Sequence, residues 1–321
     1  MNRTFTILLT ISILTVAVAV LWRPDLSTVA RHRQPLESRS LDQDPGRSPA
    51  TAAAPATLGS SDPNASQAHS PQLTAAIGQA TEKDFRTRLA AINQLGSNLS
   101  LAERNVLYAY LRDTSEEKWL RPGQSFALKN DILNALCEQE QPPSELTGFL
   151  AALWRDFSQP LVLRDYALQH LAPWFSKAGV SDREQIIREL IAAARDTRQS
   201  YAGTALLALC LISQEEPTAE IPALAGQIQQ LITDPTGNLL ARISAIQLSG
   251  ELGIEQAGDP VQRIAVDDTQ DTGLRLAAIA ALASLESREG RACLSEINAG
   301  KNERLKLAAS AALRRLDELE K

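Results

Sequence analysis

Seven stretches of the chain share one hydrophobic pattern, with starts at positions 88, 129, 164, 202, 242, 275 and 306. The third residue after each start reads Ala91, Ile132, Ala167, Ala205, Ala245, Ala278 and Ala309. The fourth reads Ile92, Leu133, Leu168, Leu206, Ile246, Ile279 and Ser310. The seventh reads Leu95, Leu136, Leu171, Leu209, Ser249, Leu282 and Leu313, and the eighth Gly96, Cys137, Ala172, Cys210, Gly250, Ala283 and Arg314. Offsets of three, four, seven and eight fall on one face of an α-helix. The fourth and seventh positions fill space; the third and eighth are small enough to let a neighbour approach closely. Ala278 is therefore expected in a packed interface, with Ala277 on the far side of the same helix.

The starts lie 41, 35, 38, 40, 33 and 31 residues apart, which leaves room in each period for one more helix and two turns. Apolar segments supply that helix at 101–112, 145–157, 183–195, 221–232, 261–266 and 288–298. Pro142-Pro143-Ser144 and Ser181-Asp182 suit the beginnings of two of these first helices. Four residues before the starts stand Asp84, Ser125, Pro160, Asn238, Asp271 and Asn302, mostly good caps for the second helices. Helix pairs repeated at this spacing cannot bury a face alone and must stack on one another. The final helix, 303–319, carries Arg314, Arg315, Asp317 and Glu318 where earlier copies are more apolar, as a polar terminal cap would.

A second helix reading Arg-x-x-Ala-Ile/Leu-x-x-Leu-Gly/Ala, as in RLAAINQLG from Arg88 and RLAAIAALA from Arg275, resembles that of HEAT repeats. The segments RLAAIAALASL and KLAASAALRRL near the C-terminus resemble the short HEAT-like form found also in phycobilin lyases. The resemblance covers about 245 residues and implies an all-α fold, an α-α superhelix of about seven helix pairs over residues 73–321. It also implies a solenoid that binds proteins, with lyase chemistry in only a few members.

Upstream, residues 5–22 form an uncharged run of 18, enough to cross a hydrocarbon core of roughly 30 Å. Trp22-Arg23 closes it as an interfacial anchor would. Ala17-Val18-Ala19 offers the competing reading, a signal peptide cleaved after Ala19. The run continues past that site, so residues 1–22 read as a signal-anchor. Arginines 23, 31, 33 and 39 favour a cytoplasmic body, whereas a span at the very N-terminus favours an extracytoplasmic one (periplasmic in a bacterium), which is the side expected here. Residues 23–72 hold seven of the sixteen prolines, with balanced charge and no apolar clusters. They read as a disordered linker, with an end separation on the order of 35–45 Å.

Composition narrows the function. Aromatics at 4% argue against a β-sandwich or barrel, and a net charge of −6 argues against nucleic acid as a partner. Three histidines and three cysteines, with no HExxH or CxxC spacing, give no ligand set for a metal. His170 is expected at a helix flank, on the surface or in a groove. Cys137 and Cys210 occupy the small eighth offset and read as core. Asp267-Asp268 and Glu215-Glu216 fall at helix ends, where capping acids are the rule. The basic residues at the starts, such as Arg88, Arg164, Arg242 and Arg275, are expected to lay their stems on the core and pair with an acid. Phe149, Trp154 and Phe157 are expected to join one apolar helix face.

The candidate interaction site lies at the fifth offset, which points away from the packed face: Asn93, Asn134, Gln169, Leu207, Gln247, Ala280 and Ala311. Amides dominate its first five places, and each offers both a donor and an acceptor to the backbone of an extended peptide, as in the related armadillo solenoids. Asp131 and Tyr166, at the second offset, flank the column. Trp119 with Arg121, between helices, forms a second candidate anchor. The reading is a membrane-tethered scaffold for protein partners, with no catalysis, cofactor or metal expected. The alternatives are a phycobilin-lyase-like chromophore enzyme and a secreted solenoid.

Overall fold

The computed structural model describes Leu73, Ile77 and residues 85–114, 120–217, 224–285 and 288–319. All belong to the second of two units into which the chain divides, 61–321. The expected membrane span, the linker and Trp119 lie outside the described residues. Among the described residues no helix is long and apolar enough to cross a membrane.

Thirteen α-helices and no strand occur among the described residues. They are α1 (Phe85–Asn93), α2 (Leu101–Arg112), α3 (Pro122–Cys137), α4 (Leu146–Arg155), α5 (Leu161–Phe175), α6 (Val180–Ala194) and α7 (Tyr201–Glu215). There follow α8 (Leu224–Thr233), α9 (Leu239–Glu251), α10 (Gly258–Val266), α11 (Thr272–Leu285), α12 (Arg288–Asn298) and α13 (Glu303–Leu319). The odd-numbered helices carry the seven pattern copies, and the even-numbered helices fill the segments between them. Each odd helix packs on the next odd helix, and each even helix packs on the odd helix that follows it. The result is two layers built from neighbouring pairs, a packing compatible with a solenoid.

The cores of α3, α5, α7, α9 and α11 obey the pattern: their third, fourth, seventh and eighth offsets are all buried. The layers come very close where those residues are smallest. A Cβ on Gly203 would stand 2.8 Å from the Ser244 Cβ, and one on Gly250 would stand 3.0 Å from the Ala281 Cα. The far side of α11 is covered too, because this helix packs against α9, α10, α12 and α13. Ala277 is consequently 7% exposed, not outward-facing, and Ala280 is the residue that points to solvent.

Three second helices are capped as the sequence suggests. Asn238 accepts from the N–H groups of Leu240 and Ala241, Asp271 from Gly273 and Leu274, and Asn302 from Arg304 and Leu305. Ser125 does not cap, because α3 begins a turn earlier at Pro122 and encloses it. In the first layer, α6 begins at Val180, so Ser181 and Asp182 lie inside its first turn.

Four of the basic residues at the starts take a different partner from the expected acid, whereas Lys306 does meet one, Glu303, at 3.8 Å. Arg164 Nε donates to the Trp154 carbonyl at 2.7 Å, Arg242 Nη2 to Ile232 at 3.2 Å and Arg275 Nε to Ala265 at 3.1 Å. Lys129 Nζ donates to the carbonyls of Leu111 and Asp113. In each case the receiving carbonyl lies at the C-terminal end of the first helix of the same pair, where carbonyls lack intrahelical donors and the helix dipole favours a cation. Most of these bases are buried, Arg164 to 5% exposure and Lys129 to 3%.

An acid does stand nearby, but it closes the turn. Asp156, Asp234 and Asp267 each follow a first helix and accept from the hydroxyl and N–H of the residue two further on, Ser158, Thr236 and Thr269. Those hydroxyl bonds, foremost among several, hold the three carboxyls below the usual carboxylate range. The turns also link neighbouring pairs, since Thr197 Oγ1 donates to Asp234 Oδ2 and Gln159 Nε2 to the Arg112 carbonyl.

Phe149 and Trp154 are buried as expected. Phe157 is not: it lies beyond the end of α4, 75% exposed, with the Arg164 guanidinium 4.1 Å from its ring. Burial pushes the Cys137 thiol up to about 12 and the Cys210 thiol up to about 11, in keeping with core residues. On α13, Arg314, Arg315, Asp317 and Glu318 are exposed, but so are Leu307 and Leu319, so the end of the stack is amphipathic.

Candidate functional site

Successive second helices bring the amide column together over the first three copies. Asn93 on α1, Asn134 on α3 and Gln169 on α5 are all exposed at the same offset. Gln247 on α9 is only half-buried, and so is Leu207 between them. At the usual 8–10 Å between packed helices, α1 to α9 spans about 40 Å.

Between α1 and α3 the column opens into a cleft of about 520 Å³. Its walls include Ile92, Asn93, Leu95, Asp131, Asn134 and Glu138. Among the described residues no hydrogen bond or ion pair engages the side chains of Asn93, Asp131, Asn134 or Glu138. Partial burial raises the Asp131 carboxyl above its ordinary value. The lower end of the cleft is rigid. Buried Gln139 accepts from Leu99 N at 2.6 Å and donates to the carbonyls of Gly96 and Ala135. Glu140 takes hydrogen bonds from Asn98 and Ser97, which hold its carboxyl below the usual range. Glu138 was not among the expected residues. It stands four places after Asn134, one helical turn along the same face, and extending the column by one turn would have found it.

The remaining candidates sit apart. Arg121 is exposed at the opposite end of α3, thirteen positions from Asn134. At 1.5 Å per residue that is about 20 Å along the helix, so Arg121 and Asn134 lie at separate ends of α3. Tyr166 is half-buried on α5, next to Asp165, whose carboxyl is raised by burial despite bonds from Thr204 and Gln169. Asp165 thus engages the Gln169 amide at 3.3 Å.

His170 is buried, not a surface or groove residue. Its Nε2 lies 3.1 Å from Asn130 Oδ1 on the neighbouring α3, and burial pushes the imidazole down to about 4. The physical reason is the same as for Ala277: each second helix is flanked by two others, which cover its sides. Because the folded state holds this proton less tightly than the unfolded chain does, stability is present above pH 6.5 and is lost as the pH falls toward 4. The size of the shift corresponds to on the order of 2–3 kcal/mol by pH 4.5. Urea unfolding of the parent and of His170→Gln should show that the parent loses this much more stability between pH 7 and 4.5. Equal losses in the two proteins would remove His170 as the cause.

No family model matches the chain, and no curated protein matches it. Among solved structures, the chain is similar to human deoxyhypusine hydroxylase in complex with glycerol, at 15% identity. That match has a TM-score of 0.35 and covers 80% of this chain and 100% of that one. The similar protein is an enzyme, so the expectation that this chain performs no catalysis is corrected and withdrawn, while a likeness of this size carries no argument about which activity the chain would have.

Proposed function

We propose that the described unit is a HEAT-like solenoid whose second-helix face binds an extended segment of a protein partner. One observation carries the reading. Asn93, Asn134 and Gln169 are exposed in register on three successive second helices, beside a cleft in which, among the described residues, the side chains of Asn93, Asp131, Asn134 and Glu138 have no hydrogen-bond partner. Exposed amides at a regular spacing, two of them unengaged among the described residues and Gln169 held by Asp165, match the alternating donors and acceptors of an extended backbone. About 40 Å of column would contact on the order of twelve residues of such a strand. The uncharged run at residues 5–22 supports a tether that holds this surface at a membrane, with the body on the extracytoplasmic side.

A photoreactive residue at position 134 should crosslink a discrete partner in the native host, and one at exposed Ala152 on α4 should not. A photoreactive residue at position 93 should capture the same partner, and changing Asn134 and Gln169 together to alanine should abolish that capture while changing stability by about 1 kcal/mol or less, since both are exposed and only Gln169 loses a hydrogen bond. If the capture persists in the double variant, the amide column is not the binding surface.

A further inference from the structure

Stacking of the second helices leaves one interface position uncovered. The first residue after each start is Leu89, Asn130, Asp165, Gly203, Ile243 and Leu276 in six copies, and each is buried or half-buried. The next second helix does the covering: Gly203 lies against Ser244 of α9, and Ile243 against Gly273 of α11. In the seventh copy the same position is Leu307 on α13, and it is 70% exposed. Among the described residues α13 packs on α11 and α12, and no helix follows it.

Leu307 belongs to a longer stripe. Arg304, Leu307, Ala311, Arg314 and Glu318 follow one another at steps of three and four, which places them on one side of α13, and all five are exposed. The charges at the two ends of this stripe run against the helix. Arg304 stands in the first turn of α13, where the dipole favours an anion, and Glu318 in the last turn, where it favours a cation. Among the described residues no ion pair holds either of them, whereas Lys306 pairs with Glu303 and Arg291 with Asp317 beside them.

The stripe is its own complement. Arg304 and Glu318 lie at equal distances in sequence on either side of Ala311. A second α13 laid antiparallel across Ala311 brings its Glu318 to Arg304 and its Arg304 to Glu318, as a twofold interface requires. Each charge then sits at a helix end whose dipole suits it. The same rotation lays the aliphatic stem of Arg315 over Leu307, and the small Ala311 at the crossing permits a helix separation of about 8 Å. A parallel copy would set Arg304 against Arg304 and Glu318 against Glu318. We propose that α13 is a self-association surface, pairing antiparallel with the α13 of a second copy of this chain across Ala311. A second copy fits better than a foreign helix because the required sequence of charges is already that of α13.

The test is sedimentation of the full-length chain in a mild detergent, which should show a monomer–dimer equilibrium. Arg304→Glu and Glu318→Arg should each weaken the dimer at least tenfold by opposing like charges, and the two changes together should restore it. Each single change gives its own helix end the charge that the dipole favours, so the melting temperature should not fall and lost pairing cannot be put down to lost folding. In a Cys293→Ser background, Ala311→Cys should form disulfide-linked dimers under mild oxidation, whereas Ala152→Cys on α4 should not. A monomer at up to about 0.1 mM, a dimer indifferent to either single change, a double change that fails to rescue, or no crosslink at position 311 would overturn the pairing.

Discussion

Replacing Arg164 with methionine should lower stability by on the order of 3 kcal/mol, the range expected when a charged hydrogen bond is lost and its buried partner left unsatisfied. In a unit of this size that corresponds to a fall in melting temperature of about 6–12 °C. The side chain connects two consecutive copies of the pattern. Its Nε donates to the Trp154 carbonyl, its Nη2 lies 3.4 Å from the Tyr201 hydroxyl, and that hydroxyl donates to Asp196 Oδ2 at 2.6 Å. Burial, followed by the Asp196 bond, pushes the Tyr201 phenol up to about 12, which keeps it a donor throughout the physiological range. Methionine preserves the stem's packing but deprives the end of α4 of its donor. Arg164→Lys should recover part of the loss, because an ammonium can still reach the carbonyl, as Lys129 does in its own pair. An unchanged melting temperature in Arg164→Met would show that the end of α4 needs no donor.

Ala278→Phe should destabilise α11 by about 1–3 kcal/mol or more, whereas Ala280→Phe should change stability by less than about 0.5 kcal/mol. Ala278 has no exposed surface, and α9 approaches α11 so closely that the Gly250 position already lies against Ala281. A phenyl ring there must push two backbones apart. Ala280 faces solvent two residues further on. Thermal unfolding of the two variants side by side measures the contrast, and equal melting temperatures would refute the assignment of offsets to faces.

The comparison of these alanines also shows where the sequence stops being informative. The fifth offset reads outward correctly at Asn93, Asn134, Gln169, Ala280 and Ala311, because a helix surrounded on most sides still leaves one strip to solvent. The second offset does not: Ala277 is buried and Asp131 and Tyr166 are half-buried. A single-helix pattern reports the face with the most apolar residues, but alanine is small enough to suit an interface or a surface. Half of the candidate site follows the same logic. The amides were visible at their spacing, but the cleft between α1 and α3 was not, since its volume depends on how far apart two helices stand.

The sequence by itself determined the helices, their pairing and the column that faces outward. Those properties rest on the 3.6-residue period, on apolar residues at four offsets and on turn residues between them, all of which act within one or two helices. Segment 101–112 reads as a helix and is one, as are 288–298 and 303–319. Only the tertiary structure decided that Arg164, Arg242 and Arg275 meet backbone carbonyls, and that His170 is buried against Asn130. Each of these depends on groups brought close by stacking, from ten to forty positions away. The pattern fixes which face of a helix is apolar; the polar partners along the edges of that face are set by how the next helix crosses it.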